Sequence, residues 1–300
     1  MEQRLLKLHL TNDQKVKLYQ LAVYVVSIYV LIFYWNLQYL IISLCLGWLL
    51  YALAGSVALH KYSAHKTFKP KNRLIKIVLL LLATISGLGN SISYSAQHRL
   101  HHRHSDTKRD AHNPKGNIWH KIKTWFFYVD RLEAINPVIV KDLTSDKDHK
   151  WFYKNYGKIL LISFAIASSF GIEALGYFYT IPIWYGLSAM AWGVVIAHTP
   201  SLNIGGYRTY QTNDYSINSS VWSLLVAGEG LHNNHHGSPY LWNNAINKGE
   251  FDLTAPIIKL IGIPNNLKHQ PINKIIRGKH LKKEFNRVKL ALAKTSGYIS

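Results

Sequence analysis

The chain of 300 residues has a single cysteine, Cys45, and only 15 acidic residues against 35 lysines and arginines. One cysteine excludes an intrachain disulfide, and it excludes a thiolate-built metal site or Fe–S cluster. The shortage of acid leaves a formal charge of +20, which suits an anionic membrane face or nucleic acid. Also missing are G-x-x-x-x-G-K-[ST], G-x-S-x-G and H-E-x-x-H. No phosphate loop, nucleophile elbow or zinc-protease helix therefore marks the chain. The N-terminal stretch MEQRLLKLHLTNDQKVKLYQ has no short apolar core with a cleavage site, so no signal peptide is expected. Neither an internal repeat nor a low-complexity stretch is present.

What is there comes in blocks. Hydrophobic residues make up 48% of the chain, with 19 Tyr and nine Trp, an aromatic load suited to interfacial belts. Four segments approach the ~20 apolar residues that a bilayer core requires: 18–34, 37–59, 159–178 and 181–197. The short links within each pair make two hairpins. A fifth apolar run, 77–88, is too short to span and reads as re-entrant or interfacial. Lys61, Lys66, Lys69, Lys71 and Arg73 follow the second segment, and the 98–158 stretch and the 268–294 tail are also basic. The links within the hairpins carry no Lys or Arg. The positive-inside rule then places the basic face, and both termini, in the cytoplasm. The last 50 residues read as amphipathic, basic and membrane-apposed.

Nine of the 16 histidines fall beside the ends of these apolar runs: His60 and His65; His98, His101 and His102; His198; and His232, His235 and His236. Neutral imidazole is a good ligand for iron, zinc or copper near neutral pH. At i, i+3 and i+4 each H-x2-HH triplet is expected to aim its rings in one direction. His60 and His65 stand about 140° apart on an ideal helix, so the second is expected past a helix break. Nine imidazoles exceed one ion's coordination, and two metals are the economical reading, with iron fitting the thiolate-free donor set. A lone histidine at a helix end is ordinarily a cap or interfacial residue; two H-x2-HH groups and an H-x4-H on one expected face are not. His9, His104, His112, His120, His149, His269 and His280 lie outside the pattern and read as surface or supporting residues. The paired Glu-x-x-His set of soluble di-iron bundles occurs once only, Glu229 to His232, where two are needed. Glu229 is therefore read as orienting an imidazole.

The series resembles the membrane-bound fatty acid desaturases, specifically the Δ9 acyl-CoA (stearoyl-CoA) type and its bacterial-looking branch. The likeness runs from the first apolar segment to Thr254. It is carried by His60-Lys-Tyr-Ser-Ala-His65, by HRLHHRHSDTKRDAHNPKGNIWH from His98, and by GEGLHNNHH from Gly228, with Gly206-Tyr207-Arg208 and Glu250-Phe251-Asp252 in support. His198 stands where the family has its ninth ligand. The resemblance implies one domain over 1–300: an all-α integral membrane protein with four transmembrane helices in two hairpins. A cytosolic helical cap (60–158 and 198–300) would hold a histidine-rich di-iron site of two Fe2+. It implies an O2-dependent desaturase that inserts a cis double bond, at Δ9, into a saturated acyl chain carried as acyl-CoA. Electrons would come from a separate carrier of ferredoxin, rubredoxin or cytochrome b5 type and its reductase, since no His-Pro-Gly-Gly follows Thr254. The expected setting is the lipid bilayer of a bacterial inner membrane, or the endoplasmic reticulum in a eukaryote. Asp106, Asp110 and Glu250 are expected to orient imidazoles as Glu229 does. Trp119 and Trp125 are candidates for lining an acyl tunnel, and Arg208 for holding a substrate phosphate. One departure stands out: the family's usual Asn, four residues before the ninth ligand, is Val194 here. Two other readings use the same residues, a hydroxylase of the same chemistry and a non-catalytic membrane metal carrier. Nucleic-acid binding has only the net charge behind it and no motif, and is not expected.

Overall fold

Tyr34-Trp35-Asn36 interrupts the first apolar stretch and makes two helices of it, α1 (Asn12–Phe33) and α2 (Leu37–Ala64). Asn36 caps α2 by accepting from the Tyr39 amide at 3.0 Å, satisfying a donor that helix geometry leaves orphaned. The structure is a computed structural model and describes residues 12–110, 137–202, 205–271 and 275–295. Over Tyr51–Ala64 α2 widens from α-helical to i→i+5 hydrogen bonding. Such π-helical turns are rare and cluster at functional sites.

The chain then folds back through α3 (Arg73–Ile85) and α4 (Ser91–His104). With 13 residues, α3 is about 20 Å long, well short of a ~30 Å hydrocarbon core. It buries Leu79, Leu80 and Ala83 and exposes Leu74, Val78 and Leu81. Asn90 caps α4 through the amides of Ile92 and Ser93. Two long helices follow, α5 (Lys147–Ser168) and α6 (Ile172–Ala197).

The break between them differs from expectation. Hydropathy reads straight through 159–178, but α5 stops at Ser168 and α6 starts at Ile172. Gly171 makes the turn with φ +91, a conformation that glycine adopts at no steric cost. Among the described residues, three helices are long and apolar enough to cross a membrane: Gln14–Phe33, Leu37–Ala64 and Ile172–Ala197. In α5 the apolar stretch begins only after Lys158.

Tyr177 ties α6 to the α1–α2 turn. Its hydroxyl accepts from the Asn36 amide and donates to the Tyr34 carbonyl, both at 2.8 Å. The α1–α2 turn is therefore held beside the start of α6, and the His60 end of α2 and the His198 end of α6 lie at the other end of the bundle. α2 and α6 approach closely where Gly47 faces Tyr185, because a Cβ at Gly47 would stand 2.6 Å from that ring's Cβ. Around the helices lies an exposed apolar belt including Ile32, Phe33, Trp35, Leu37 and Leu161.

The cap adds short helices α7 (Ser220–Leu225), α8 (His232–Gly237) and α9 (Ala255–Ile261), and a basic amphipathic α10 (Lys279–Thr295) that buries Glu284 and Val288. Two antiparallel ribbons qualify the all-α expectation: Phe68–Pro70 pairs with Gly262–Pro264, and Tyr207–Arg208 with Ile276–Arg277. Each clips the C-terminal segment onto the cap.

Candidate metal centre

The nine histidines converge, although not as three-ring faces. His60, His65, His98, His102 and His235 form one group, and His101, His198, His232 and His236 form another; within each, the potential ligand atoms lie within 4.8 Å of one another. Each H-x2-HH triplet is split between them. The i, i+4 pairs stay together, His98 with His102 and His232 with His236, with ring centroids 4.7 and 4.5 Å apart. The middle residue of α4's triplet, His101, and that of α8's, His235, each serve the other group. One helical face is wide enough to address two centres, which spacing alone does not reveal.

The H-x4-H spacing also resolves differently from the expected break. In the i→i+5 geometry, residues five apart come onto one face. The His65 amide donates to the His60 carbonyl at 3.1 Å, and the two rings are 4.9 Å apart. Helix α2 continues through Ala64, and its widened end is what pairs these ligands.

Four imidazoles are oriented by carboxylates. Glu229 accepts from His60 Nδ1 at 2.7 Å, Asp110 from His101 Nδ1 at 2.9 Å, Asp106 from His198 Nδ1 at 2.9 Å and Asp214 from His236 Nδ1 at 2.7 Å. A ring that donates through Nδ1 presents a bare lone pair at Nε2. Inside the cluster the ring nitrogens close on one another: His60 and His235 Nε2 stand 2.9 Å apart, His98 and His65 2.8 Å, and His232 and His198 3.0 Å. His236 Nε2 is buried without a hydrogen-bond partner among the described residues. Nitrogen donors gathered this closely and away from water suit a cation held between them. The donor set, all imidazole nitrogen and no thiolate, fits iron.

Burial favours the neutral form of most of these rings. Burial, reinforced by the neighbouring imidazoles, holds His65, His98, His102, His232 and His235 well below the usual histidine range. Burial likewise pushes His236 down to about 4 against the pull of Asp214. His198 goes the other way: burial lowers it, but Asp106 outweighs that and raises it. Burial works against ionisation of Asp214, yet His236 beside it holds the carboxyl well below the usual carboxylate range.

A sequence model of the fatty acid desaturase family matches residues 34–245, a stretch that contains all nine histidines. The chain belongs to the fatty acid desaturase family. Named relatives of this desaturase include the sn-1 stearoyl-lipid 9-desaturase of Anabaena variabilis, 29% identical over 76% of this chain and 83% of that one. The Delta-9 acyl-lipid desaturase 2 of Arabidopsis thaliana is 28% identical over 75% of each chain. A probable acyl-CoA desaturase of Schizosaccharomyces pombe is 26% identical over 76% of this chain and 49% of its own length.

Around the desaturase's histidines, several residues stand elsewhere than expected. Among the described residues Glu250 bonds no imidazole; it accepts from the Tyr207 hydroxyl, from Asn234 Nδ2 at 2.8 Å and from the Ile246 and Asn247 amides. Its role is to fix the loop behind α8. Arg208 is fully buried, and its guanidinium donates to the carbonyls of Thr212, Asp214 and Ser216. Those bonds staple the loop bearing Asp214 and leave no outward face for a phosphate. Lys61 is also buried: it pairs with Asp252 and donates to Thr254 Oγ1 at 2.8 Å, so it is not one of the face-defining lysines. His149, read as a surface or supporting residue, is buried on Ser91 Oγ at 2.7 Å, and burial pushes it down to about 4. Trp119 and Trp125 lie outside the described residues.

Asp214 was not singled out by sequence, because nothing in Gln211-Thr212-Asn213-Asp214-Tyr215 carries a ligand spacing. Its only signal is the scarcity of acid. The two asparagines inside His-Asn-Asn-His-His were missed as well. Asn233 Oδ1 accepts from the Thr209 and Tyr210 amides, and Asn234 exchanges bonds with Asn218 in both directions. These contacts hold a helix of six residues, too short to stand alone. Val194 lines a cavity of about 30 Å³ together with His60, His98, His232 and Glu229.

Proposed function

We propose that this chain is an O2-dependent di-iron desaturase that places a cis double bond, at Δ9, in a saturated acyl chain, with one Fe2+ held by each histidine group. The observation that carries the reading is the set of inward-facing Nε2 lone pairs backed by Glu229, Asp110, Asp106 and Asp214. The chemistry contributed by bound iron is activation of O2, which with two electrons and two protons accepts the two hydrogens and leaves as two waters. The residues' own work is to hold nine imidazoles fixed, to exclude water, and to set the depth at which a chain meets the site.

The acyl carrier is a membrane lipid in this reading, as the names of the cyanobacterial and plant relatives say of those proteins. Acyl-CoA is the second reading, favoured by the resemblance and by the name of the fission yeast relative; it now lacks Arg208 as a phosphate anchor. We propose four spans, α1, α2, the apolar half of α5, and α6, in two hairpins, with both termini and the cap cytoplasmic. The Tyr177 bridge supports this by holding the two hairpins together at one end. A bacterial inner membrane is favoured, or the endoplasmic reticulum in a eukaryote. The two electrons come from a separate carrier of ferredoxin, rubredoxin or cytochrome b5 type and its reductase.

The test is a fatty-acid profile, with double bonds located by derivatisation and mass spectrometry, in a host lacking its own aerobic desaturase. Wild type is compared with His235→Ala. A new monounsaturated acid in wild type alone supports the proposal and gives the position. A hydroxy acid would overturn it in favour of hydroxylation, with Val194 beside the cavity as the first residue to exchange. Absence of any new product from a well-expressed, iron-loaded chain supplied with carrier and reductase would sink both.

A further inference from the structure

The cavity beside the histidines is small, about 30 Å³ or room for about one water, so a chain must be fed to it from a neighbouring space. A second, apolar space of about 470 Å³ lies next to it, within the usual ~300–1,000 Å³ of ligand sites. One wall is a stripe of α6 formed by Tyr185, Trp192 and Ile196, and the other is Trp222 and Leu225 of α7. It is an open groove, and its rim continues into the exposed apolar belt through Val221, Leu224 and Leu225. Tyr185 Oη and Trp48 Nε1 hold α7 in place by donating to the Leu225 and Leu224 carbonyls, both at 2.8 Å.

Gly193 lines both spaces. A glycine inside a helix costs roughly 1 kcal/mol relative to alanine, so its presence calls for a reason. Close packing supplies that reason at Gly47 and Gly176, where a Cβ would meet a neighbour at 2.6 and 2.5 Å. At Gly193 it does not: a Cβ would meet only Val226 Cγ1, at an ordinary 3.7 Å. The missing side chain lies where groove and cavity come closest, since Gly193 lines both. Val226 sits opposite, and the backbone behind it turns through positive φ at Ala227 (+49) and Gly228 (+94) before reaching Glu229, which holds His60. One segment thus forms the groove wall, the neck and the support of a ligand.

We propose that the substrate chain enters sideways from the bilayer, through the groove between α6 and α7, with Gly193 and Val226 as the neck that admits it to the histidine cavity. The occupant is the acyl chain of a membrane glycerophospholipid whose headgroup stays in the interface. This rests on the reading of the chain as a desaturase of acyl chains, and it adds the route and the residue that controls it.

The test uses the full-length, iron-loaded protein in phosphatidylglycerol nanodiscs containing a trace of phospholipid with a terminal diazirine on its sn-1 stearoyl chain. After irradiation, labelled peptides are mapped by mass spectrometry. Wild type is expected to carry label at Trp222 in the groove and at Tyr51 and Met190 in the cavity. Gly193→Leu should keep the groove label and lose cavity label ~tenfold, the scale at which one or two methylenes matter in an apolar pocket. Gly193→Ala, whose methyl fits at van der Waals distance, keeps the fold and should show a smaller loss. Ala167→Leu, on a different lipid-facing groove, should change nothing. Undiminished cavity label in both Gly193 variants would overturn the route, as would cavity label obtained only from a diazirine acyl-CoA added from water. Cavity labelling without any desaturated product in cells would instead leave the route standing and remove the assigned activity.

Discussion

Asp214→Asn tests the centre at the residue that spacing could not reveal. The carboxylate's Oδ1 accepts from Thr212 Oγ1 at 2.6 Å, the Ser216 amide at 3.1 Å and Ser216 Oγ at 2.5 Å. An amide oxygen keeps all three, so the loop survives the exchange. The other side changes. Where Oδ2 accepted from His236 Nδ1 at 2.7 Å, an amide NH2 donates, and the imidazole must shift its proton to Nε2. That proton points into the group formed with His101, His198 and His232, and the ring ceases to be a ligand. Loss of such a supporting contact costs roughly 10- to 100-fold in metal affinity, about 1.4 to 2.7 kcal/mol. The assay is metal content per chain by plasma mass spectrometry after equilibration against a graded chelator series. The variant should fall from about two metals toward about one at chelator levels that wild type resists, because only one group is damaged. Equal retention by both proteins across the whole series would refute the reasoning.

Lys61→Met strands the Asp252 carboxylate, which is 2% exposed, and should lower stability by roughly 3–5 kcal/mol; thermal unfolding in detergent measures it, and Lys61→Met with Asp252→Asn should recover part of the loss. Metal-free protein should lose stability as pH falls below about 6.5, the ordinary histidine value. Unfolded imidazoles take up protons there that buried His65, His98, His102, His232 and His235 refuse, and the loss grows until pH nears the folded values, about 4 for His236. A midpoint flat from pH 7 to 5 would contradict it. Gly230→Ala puts a Cβ 2.2 Å from the Ser223 amide nitrogen, which is backbone and cannot step aside. The cost should be at least about 1–3 kcal/mol, read as a lower unfolding midpoint with reduced metal content.

Some of this was legible in the sequence for a physical reason: ligands that belong to helices repeat at helical spacing. His98, His101, His102, His232, His235 and His236 announce themselves that way, and Glu229 does so through its distance from His232. The partition of each triplet was not legible, because it depends on where the second helix stands across from the first. His60 and His65 looked misaligned because an ideal helix was assumed where the backbone is wider. Lys61 and Arg208 read as surface cations because charge is ordinarily solvated; only the fold shows Asp252 and three carbonyls waiting for them. The turn at Gly171 was hidden inside an apolar run, since hydropathy does not register φ. Asp214 was invisible for the same reason that it works: it reaches His236 from 22 positions away, with α7 between them.

The divided triplets also set how the centre can respond to motion. α4 and α8 each give ligands to both groups, so the separation of the two groups is set by the pitch of two short helices acting as rulers held in opposite hands. Through α4 or α8, neither group can open alone. A fluctuation that frays α8 releases His235 from one and His232 and His236 from the other in the same event. Metal capture should accordingly be all-or-none when α4 or α8 is the part that moves, and divisible when a single side chain, or the end of α2 or α6, is changed.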